Sequence, residues 1–70
     1  MNSQKTIDQF TLLESKIIEL IAEEMPNKEI ASTLNYSQRT IEYNITQLFK
    51  KLDVSTRVGI VAQAYKRNIV

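Results

Sequence analysis

The sequence has neither cysteine nor histidine among its 70 residues. Without thiols, the chain has no disulfide framework and no thiolate metal site, which suits a reducing cytosol. The same absences remove two of the side chains most used in catalysis, and the adjacent carboxylates Glu23 and Glu24 would not face one another on a helix. A Gly-rich phosphate loop is also missing. We therefore expect no enzymatic activity, no cofactor and no bound metal.

Glycine and proline are equally scarce, with one of each in the chain. No Asn-Gly or Asp-Gly pair lies between alternating apolar runs, so the usual signal for a β-hairpin is absent. Apolar runs such as Ile60-Val61-Ala62 are far too short to span a membrane, and the polar amino terminus lacks the apolar stretch of a signal peptide. With 43% hydrophobic residues, the chain is still apolar enough to fold. These features predict one small, soluble, all-α domain in the cytoplasm, with no membrane partner.

The net charge is only +1, but the two halves of the chain differ. Residues 1–35 hold three lysines and six carboxylates, a balance of −3, whereas residues 36–70 hold six basic and two acidic residues, a balance of +4. A basic half indicates a polyanionic partner such as double-stranded DNA, although mixed charges are also common on an ordinary solvated surface.

The first half of the chain contains two helical patterns. Residues 1–9 carry no apolar stripe and are predicted to be a linker or flexible arm. The first helix begins after Thr11, which stands in capping-box spacing with Glu14, and ends at Met25-Pro26, because the residue before a proline avoids the helical conformation. Pro26 fits the first turn of a short second helix. The predicted inward residues are Leu13, Ile17, Leu20 and Ile21 in the first helix, and Ile30, Ala31 and Leu34 in the second.

The second half contains two more helical patterns. The third helix spans residues 37–52 and is capped by Ser37, and the fourth begins after Ser55 and runs to about Asn68. The inward residues of the third helix are Ile41, Ile45, Leu48, Phe49 and Leu52. Only Asn35 and Tyr36 separate the second helix from the third, so the two form a helix-turn-helix. The predicted fold is an all-α, compact four-helix bundle containing this motif, over residues 10–70.

The polar face of the third helix carries a further pattern. Arg39, Tyr43, Thr46 and Lys50 form one stripe opposite the apolar face, with Glu42 beside it. Arg39 and Lys50 would attract phosphates on such a stripe, or they are ordinary solvated charges.

An ordered set of short motifs runs through residues 10–70. The set comprises Thr11-x-x-Glu14, Leu20-Ile21-Ala22-Glu23, Asn27-Lys28-Glu29-Ile30-Ala31, Leu34, Ser37-x-Arg39-Thr40-Ile41, Lys51-Leu52-x-Val54 and Arg57. It resembles the DNA-binding domain of the LuxR/GerE-type regulators, the output domain of NarL/FixJ-family response regulators. The stretch Thr40-Ile41-Glu42-Tyr43 is most similar to the competence-type branch of Gram-positive bacteria.

The resemblance implies that the third helix enters the major groove and that the fourth helps two copies to pair. It implies phosphate contacts by Asn27, Lys28 and Thr40, in addition to Arg39 and Lys50, and base contacts by Glu42, Tyr43 and Thr46. The base-reading positions depart from the lysines that are commoner in the family. Glu42 would be repelled by phosphates unless it accepts a hydrogen bond from a cytosine amino group or bonds a neighbour such as Arg39.

Thr46 can bond several bases or offer its methyl group to thymine, and Tyr43 either packs on a sugar or methyl group or covers the edge of the core. Two other departures concern the framework. Asn44 stands where the family usually has histidine, and Glu24 stands where it usually has the glycine that ends the first helix. Glu24 therefore implies either strain or a different turn.

An apolar stripe on the fourth helix, formed by Val58, Ala62 and Tyr65, predicts a weak homodimer unless these residues belong to the core. The hypothesis from the sequence is a sequence-specific DNA-binding domain of a bacterial transcription regulator, in particular a two-component response regulator, bound as a dimer to two half-sites. An upstream receiver domain or an antagonist protein is a further candidate partner. The alternative is a helical protein-interaction module that docks an acidic partner along the stripe from Arg39 to Lys50.

Overall fold

Four helices joined by short turns make up residues 10–69, the part of the chain that the computed structural model describes. They are α1 (Leu12–Ala22), α2 (Asn27–Leu34), α3 (Gln38–Leu52) and α4 (Arg57–Lys66). The predicted all-α class and the four-helix bundle with its helix-turn-helix are confirmed. The predicted linker or arm, residues 1–9, lies outside the described residues.

Side-chain caps mark the start of three of these helices. The capping box predicted for α1 is present, because Thr11 Oγ1 accepts from the Glu14 amide at 3.0 Å while Glu14 Oε1 accepts from the Thr11 amide at 2.9 Å. Ser37 caps α3 as predicted, accepting from the Thr40 amide at 3.1 Å. The prediction for α4 was wrong by one residue: Thr56, not Ser55, is the cap, because its Oγ1 lies 2.9 Å from the Gly59 amide.

The second helix begins differently. Pro26 precedes its first residue in an extended conformation, rather than lying within the first turn as predicted, and it provides no side-chain cap. The amides of Asn27, Lys28 and Glu29 therefore have no partner within α2, since the first backbone bond runs from Ile30 to the Pro26 carbonyl at 2.9 Å.

Each of the four helices is followed, within two residues, by a residue other than glycine in the left-handed conformation. After α1, the Glu24 amide donates to the Ile21 carbonyl at 2.8 Å and the Met25 amide donates to the Leu20 carbonyl at 3.1 Å, which is the Schellman pattern. Glu24 has a φ of 64°, so of the two alternatives for this position the strained one is realised, at a cost of about 1 kcal/mol. The other three left-handed residues are Asn35, Asp53 and Asn68, types that tolerate this conformation better.

These turns correct two predicted helix ends. Because Glu24 is left-handed, α1 stops at Ala22 rather than continuing to Met25-Pro26. Because Asn68 is left-handed, with a φ of 59°, α4 stops at Lys66 rather than near Asn68.

The core consists of one apolar face from each helix. The buried residues are Ile17, Ile18 and Ile21 of α1, Ile30 and Ala31 of α2, Ile41, Ile45, Leu48 and Leu52 of α3, and Ile60 and Ala64 of α4. The prediction for α3 holds, with Phe49 half-buried at the edge. In α1, Ile18 takes a central place that the sequence pattern did not assign, while Leu13 and Leu20 are only half-buried.

The packing order leaves one face of α3 outside the bundle. Helix α1 contacts the other three helices, α2 packs on α3, and α4 closes against α1 and α3. Residues 35–37 alone connect α2 to α3. None of the helices within residues 10–69 has the length and hydropathy needed to cross a membrane.

Candidate nucleic-acid interface

The outer face of α3 carries the predicted stripe. Arg39, Glu42, Tyr43, Thr46 and Lys50 are all exposed, and the four buried residues of α3 lie on the opposite face. Tyr43 is 64% exposed, so it does not serve as a cover for the core edge. At about 1.5 Å of rise per residue, the stripe is about 16 Å long. A helix with its side chains is about 10–12 Å across, which fits a major groove about 12 Å wide.

Thr40 lies at the start of this face and is half-buried. Its hydroxyl oxygen accepts a hydrogen bond from Ser37 Oγ at 2.9 Å. A hydroxyl that already accepts within the helix start still has its own hydrogen to donate. The Thr40 hydroxyl hydrogen is therefore available for an acceptor.

Glu42 has a partner within the helix. Its Oε2 accepts from Gln38 Nε2 at 3.2 Å, so the bonded neighbour is Gln38, four residues earlier, rather than Arg39. The Thr46 hydroxyl donates to the Glu42 carbonyl at 3.1 Å. Thr46 thus presents its methyl group and an oxygen lone pair, and Glu42 keeps its second carboxylate oxygen for a donor outside the protein.

Asn44, the residue that replaces the usual histidine, belongs to the framework of α3. It is half-buried, and its Nδ2 donates to the Thr40 carbonyl at 2.9 Å. This bond lies one turn from the start of the helix and supports the backbone at Thr40.

The start of α2 carries the two other predicted phosphate contacts. Lys28 is exposed, whereas Asn27 is half-buried and its Oδ1 accepts a hydrogen bond from Arg57 Nη1. The first amides of α2 also lack a side-chain cap. Uncapped amides together with the positive end of the helix dipole favour an anion at this point.

Sequence reasoning missed an ion pair that holds α3 in place. Glu14 is only 4% exposed, and its two oxygens accept from Lys51 Nζ at 2.9 and 2.8 Å. Lys51 Nζ also lies 5.4 Å from the centre of the Phe10 ring. A signal was available, because Glu14 falls three and four residues before the buried Ile17 and Ile18 and therefore shares their inward face.

The outer face of α4 is apolar. Val58 and Tyr65 are 79% and 75% exposed, and Ala62 between them is exposed as well. The alternative that these three residues form core is therefore wrong. Val58 and Ala62 also line a surface cleft with Ile21, Ala22 and Pro26.

The predicted site residues thus fall on three surfaces: the outer face of α3, the start of α2 and the outer face of α4. A helix-turn-helix whose second helix turns a polar face with basic ends to solvent is the architecture of a DNA-binding domain.

Comparison with known protein families also indicates a DNA-binding domain, and it identifies the family. The chain belongs to the luxR family of bacterial regulatory proteins, whose family model, GerE, matches residues 8–64. The resemblance found in the sequence is confirmed. The domain binds DNA in transcription regulation.

Individual relatives are similar to this chain over most of its length. The chain is 37% identical over 62 residues to the uncharacterized response regulatory protein YgeK of Escherichia coli, covering 89% of this chain and 42% of the relative. It is 40% identical over 60 residues to the transcriptional regulatory protein ComA of Bacillus subtilis, covering 86% and 28%. It is 28% identical over 67 residues to the nitrate/nitrite response regulator protein NarL of Escherichia coli, covering 96% and 31%. The chain therefore spans less than half the length of each, and no solved structure matches it significantly.

Proposed function

We propose that residues 10–70 are the DNA-binding output domain of a bacterial two-component response regulator, with residues 1–9 as the linker. Two of the relatives carry response regulatory or response regulator in their names, and each is more than twice as long as this chain. In this proposal an upstream receiver domain controls pairing of the output domains, and an antagonist protein that masks α3 would block DNA. A regulator of chromosomal genes acts in the cytoplasm.

The observation that carries the proposal is the division of α3 into a fully buried face and a polar exposed face. Because Ile41, Ile45 and Leu48 are 0–5% exposed, packing against the core fixes which face of α3 is turned to solvent. Glu42, Tyr43 and Thr46 lie at the middle of this face and are the proposed base readers. Glu42 accepts from a cytosine amino group, and Thr46 meets a thymine methyl group.

The proposed phosphate contacts lie at the two ends of α3 and at the start of α2. Arg39 and Lys50 are exposed cations eleven positions apart on the stripe, and Thr40 offers its hydroxyl hydrogen. Asn27 and Lys28 provide side-chain donors beside the uncapped amides of α2. Such contacts position the helix without specifying sequence.

The first prediction concerns these cations. Arg39→Ala and Lys50→Ala should each weaken binding to every duplex by about eightfold at 0.1 M salt. The reason is that each phosphate contact changes the logarithm of the binding constant by about 0.9 for each tenfold change in salt concentration. The salt dependence should become shallower by about one unit in each variant. Fluorescence anisotropy of a labelled duplex, titrated at several salt concentrations, measures both quantities.

Lys16→Ala is the matched control, since it removes the same charge from an exposed position on α1. Its salt dependence should equal that of the wild type. If the Arg39 and Lys50 variants also behave like the wild type, this face of α3 does not contact DNA. Affinity for an acidic protein with none for duplex DNA would favour the protein-interaction alternative.

We propose further that two copies pair through the outer face of α4 and bind two half-sites whose centres lie about 10 base pairs apart. Val58, Ala62 and Tyr65 follow the spacing of a single helical stripe, and all three are exposed within the described part of the chain. A twofold pair would bury this stripe against its copy.

The second prediction is that Val58→Glu removes cooperative binding to paired half-sites, by at least about fivefold, because pairing would bury a carboxylate in an apolar contact. Affinity for a single half-site should change little, and the melting temperature should be retained because Val58 is 79% exposed. Leu12→Glu, at a 74% exposed position on α1, is the control for added negative charge. Equal cooperativity in the two variants would exclude α4 as the pairing surface.

A further inference from the structure

Arg57 links three elements of the fold. It is the first residue of α4 and is half-buried. Its Nη2 donates to the Met25 carbonyl at 2.5 Å, in the turn between α1 and α2, and its Nη1 donates to Asn27 Oδ1, at the start of α2. The guanidinium therefore connects α4 to the start of α2. Its two partners, Asn27 and Met25, lie 30 and 32 positions before Arg57 in the chain.

The chemistry of the guanidinium decides the orientation of Asn27. Arginine has five donor hydrogens and no acceptor, so the atom of the Asn27 side chain that faces it must be the carbonyl oxygen. In a planar amide, the amino group then points away from the arginine. Asn27 Nδ2 has no hydrogen-bond partner within residues 10–69, and Asn27 is the first residue of α2, whose first amides lack a side-chain cap.

We infer that Arg57 is a positioning residue for DNA binding: it holds the Asn27 carbonyl oxygen so that the amino group is the part of the side chain that meets a phosphate. The inference rests on the proposed phosphate contact of Asn27. Without Arg57, the Asn27 side chain would rotate freely and present its oxygen to the phosphate part of the time, and two acceptors repel one another. Asn27 therefore contributes its full share of the affinity only while Arg57 orients it.

A double-mutant cycle tests this coupling with Arg57→Lys, Asn27→Ala and the double variant. Lysine keeps the positive charge but lacks the planar fork that bonds two oxygens at once. We expect Asn27→Ala to weaken duplex binding about fivefold, and Arg57→Lys to weaken it about threefold in the otherwise wild-type chain, but less than about 1.5-fold when Asn27 is already alanine. Melting temperatures are measured on all variants, and Arg67→Lys, an exposed residue just after α4, is the control expected to have no effect in either background.

An equal loss from Arg57→Lys in both backgrounds would overturn the inference, because Arg57 would then act on DNA or on stability without Asn27. An unchanged affinity in Asn27→Ala would remove the proposed phosphate contact itself. No duplex binding by the wild type would instead refute the proposed output-domain function as a whole. The two Asn27 side-chain amide resonances in a ¹⁵N–¹H spectrum give a readout that needs no variant. They should shift when duplex DNA is added. If they do not shift in a chain that binds the duplex, the inference is also overturned.

Discussion

Replacing Glu14 with alanine should lower the free energy of unfolding by about 2–4 kcal/mol, through loss of the α1 cap and of the ion pair to α3. Glu14 is 4% exposed and accepts from both the Thr11 amide and Lys51 Nζ. Its removal takes the carboxylate acceptor from the Thr11 amide and breaks the ion pair between Glu14 and Lys51. The effect falls below that of a fully buried pair because the Lys51 side chain is 38% exposed and can reach water.

A loss of this size is a large part of the stability of a domain of 70 residues, for which a core of this kind supplies only about 3–5 kcal/mol. Thermal and urea unfolding followed by circular dichroism measure the change. Glu19→Ala is the matched control, since Glu19 is an exposed carboxylate on the same helix and its loss should stay within about 0.5 kcal/mol. Equal stabilities of the two variants would show that the pair with Lys51 contributes nothing to the fold.

Replacing Glu42 with alanine should reduce discrimination at one base pair by about 1–3 kcal/mol, the size expected of a good base contact. Affinity for random duplexes should be preserved or raised, because a negative charge near the phosphates is gone. Gln38 Nε2 donates to one carboxylate oxygen of Glu42 at 3.2 Å, which leaves the other oxygen available. Selection of bound duplexes from a random pool, with wild type and variant in parallel, measures the change in consensus.

Gln38→Ala and Glu42→Gln are informative companions. If Glu42 reads a cytosine, Gln38→Ala should weaken the preference for that base while leaving its identity unchanged. Glu42→Gln should shift the preference toward adenine, because glutamine matches the donor and acceptor pattern of that base. Identical consensus motifs from wild type and Glu42→Ala would show that Glu42 reads no base and serves only as the helical partner of Gln38.

Features that depend on residues three or four positions apart could be predicted from the amino-acid sequence alone. The Thr11–Glu14 capping box, the Ser37 cap and the buried face of α3 are of this kind, since each is a repeat of the helix or a bond within one turn. The exposed stripe follows as the complement of that buried face. These local features were sufficient to define the helix-turn-helix and its outward residues.

Features that depend on residues far apart in the chain became visible only in the packed structure. Lys50 and Lys51 are adjacent in the chain, yet Lys51 pairs with Glu14, 37 positions away, while Lys50 is exposed. The two bonds of Arg57 are equally long-range. No local pattern contains such pairs, because they form only when separate helices pack.

The fourth helix also shows that a local sequence pattern does not determine how a helix packs. It carries two apolar sets, one with Ile60 and Ala64 and one with Val58, Ala62 and Tyr65. The sequence pattern singled out only the second set, because periodicity does not say which side of a helix faces the core. Packing against α1 and α3 buried the first set and left the second exposed, because a helix at the surface of a bundle has neighbours on one side only.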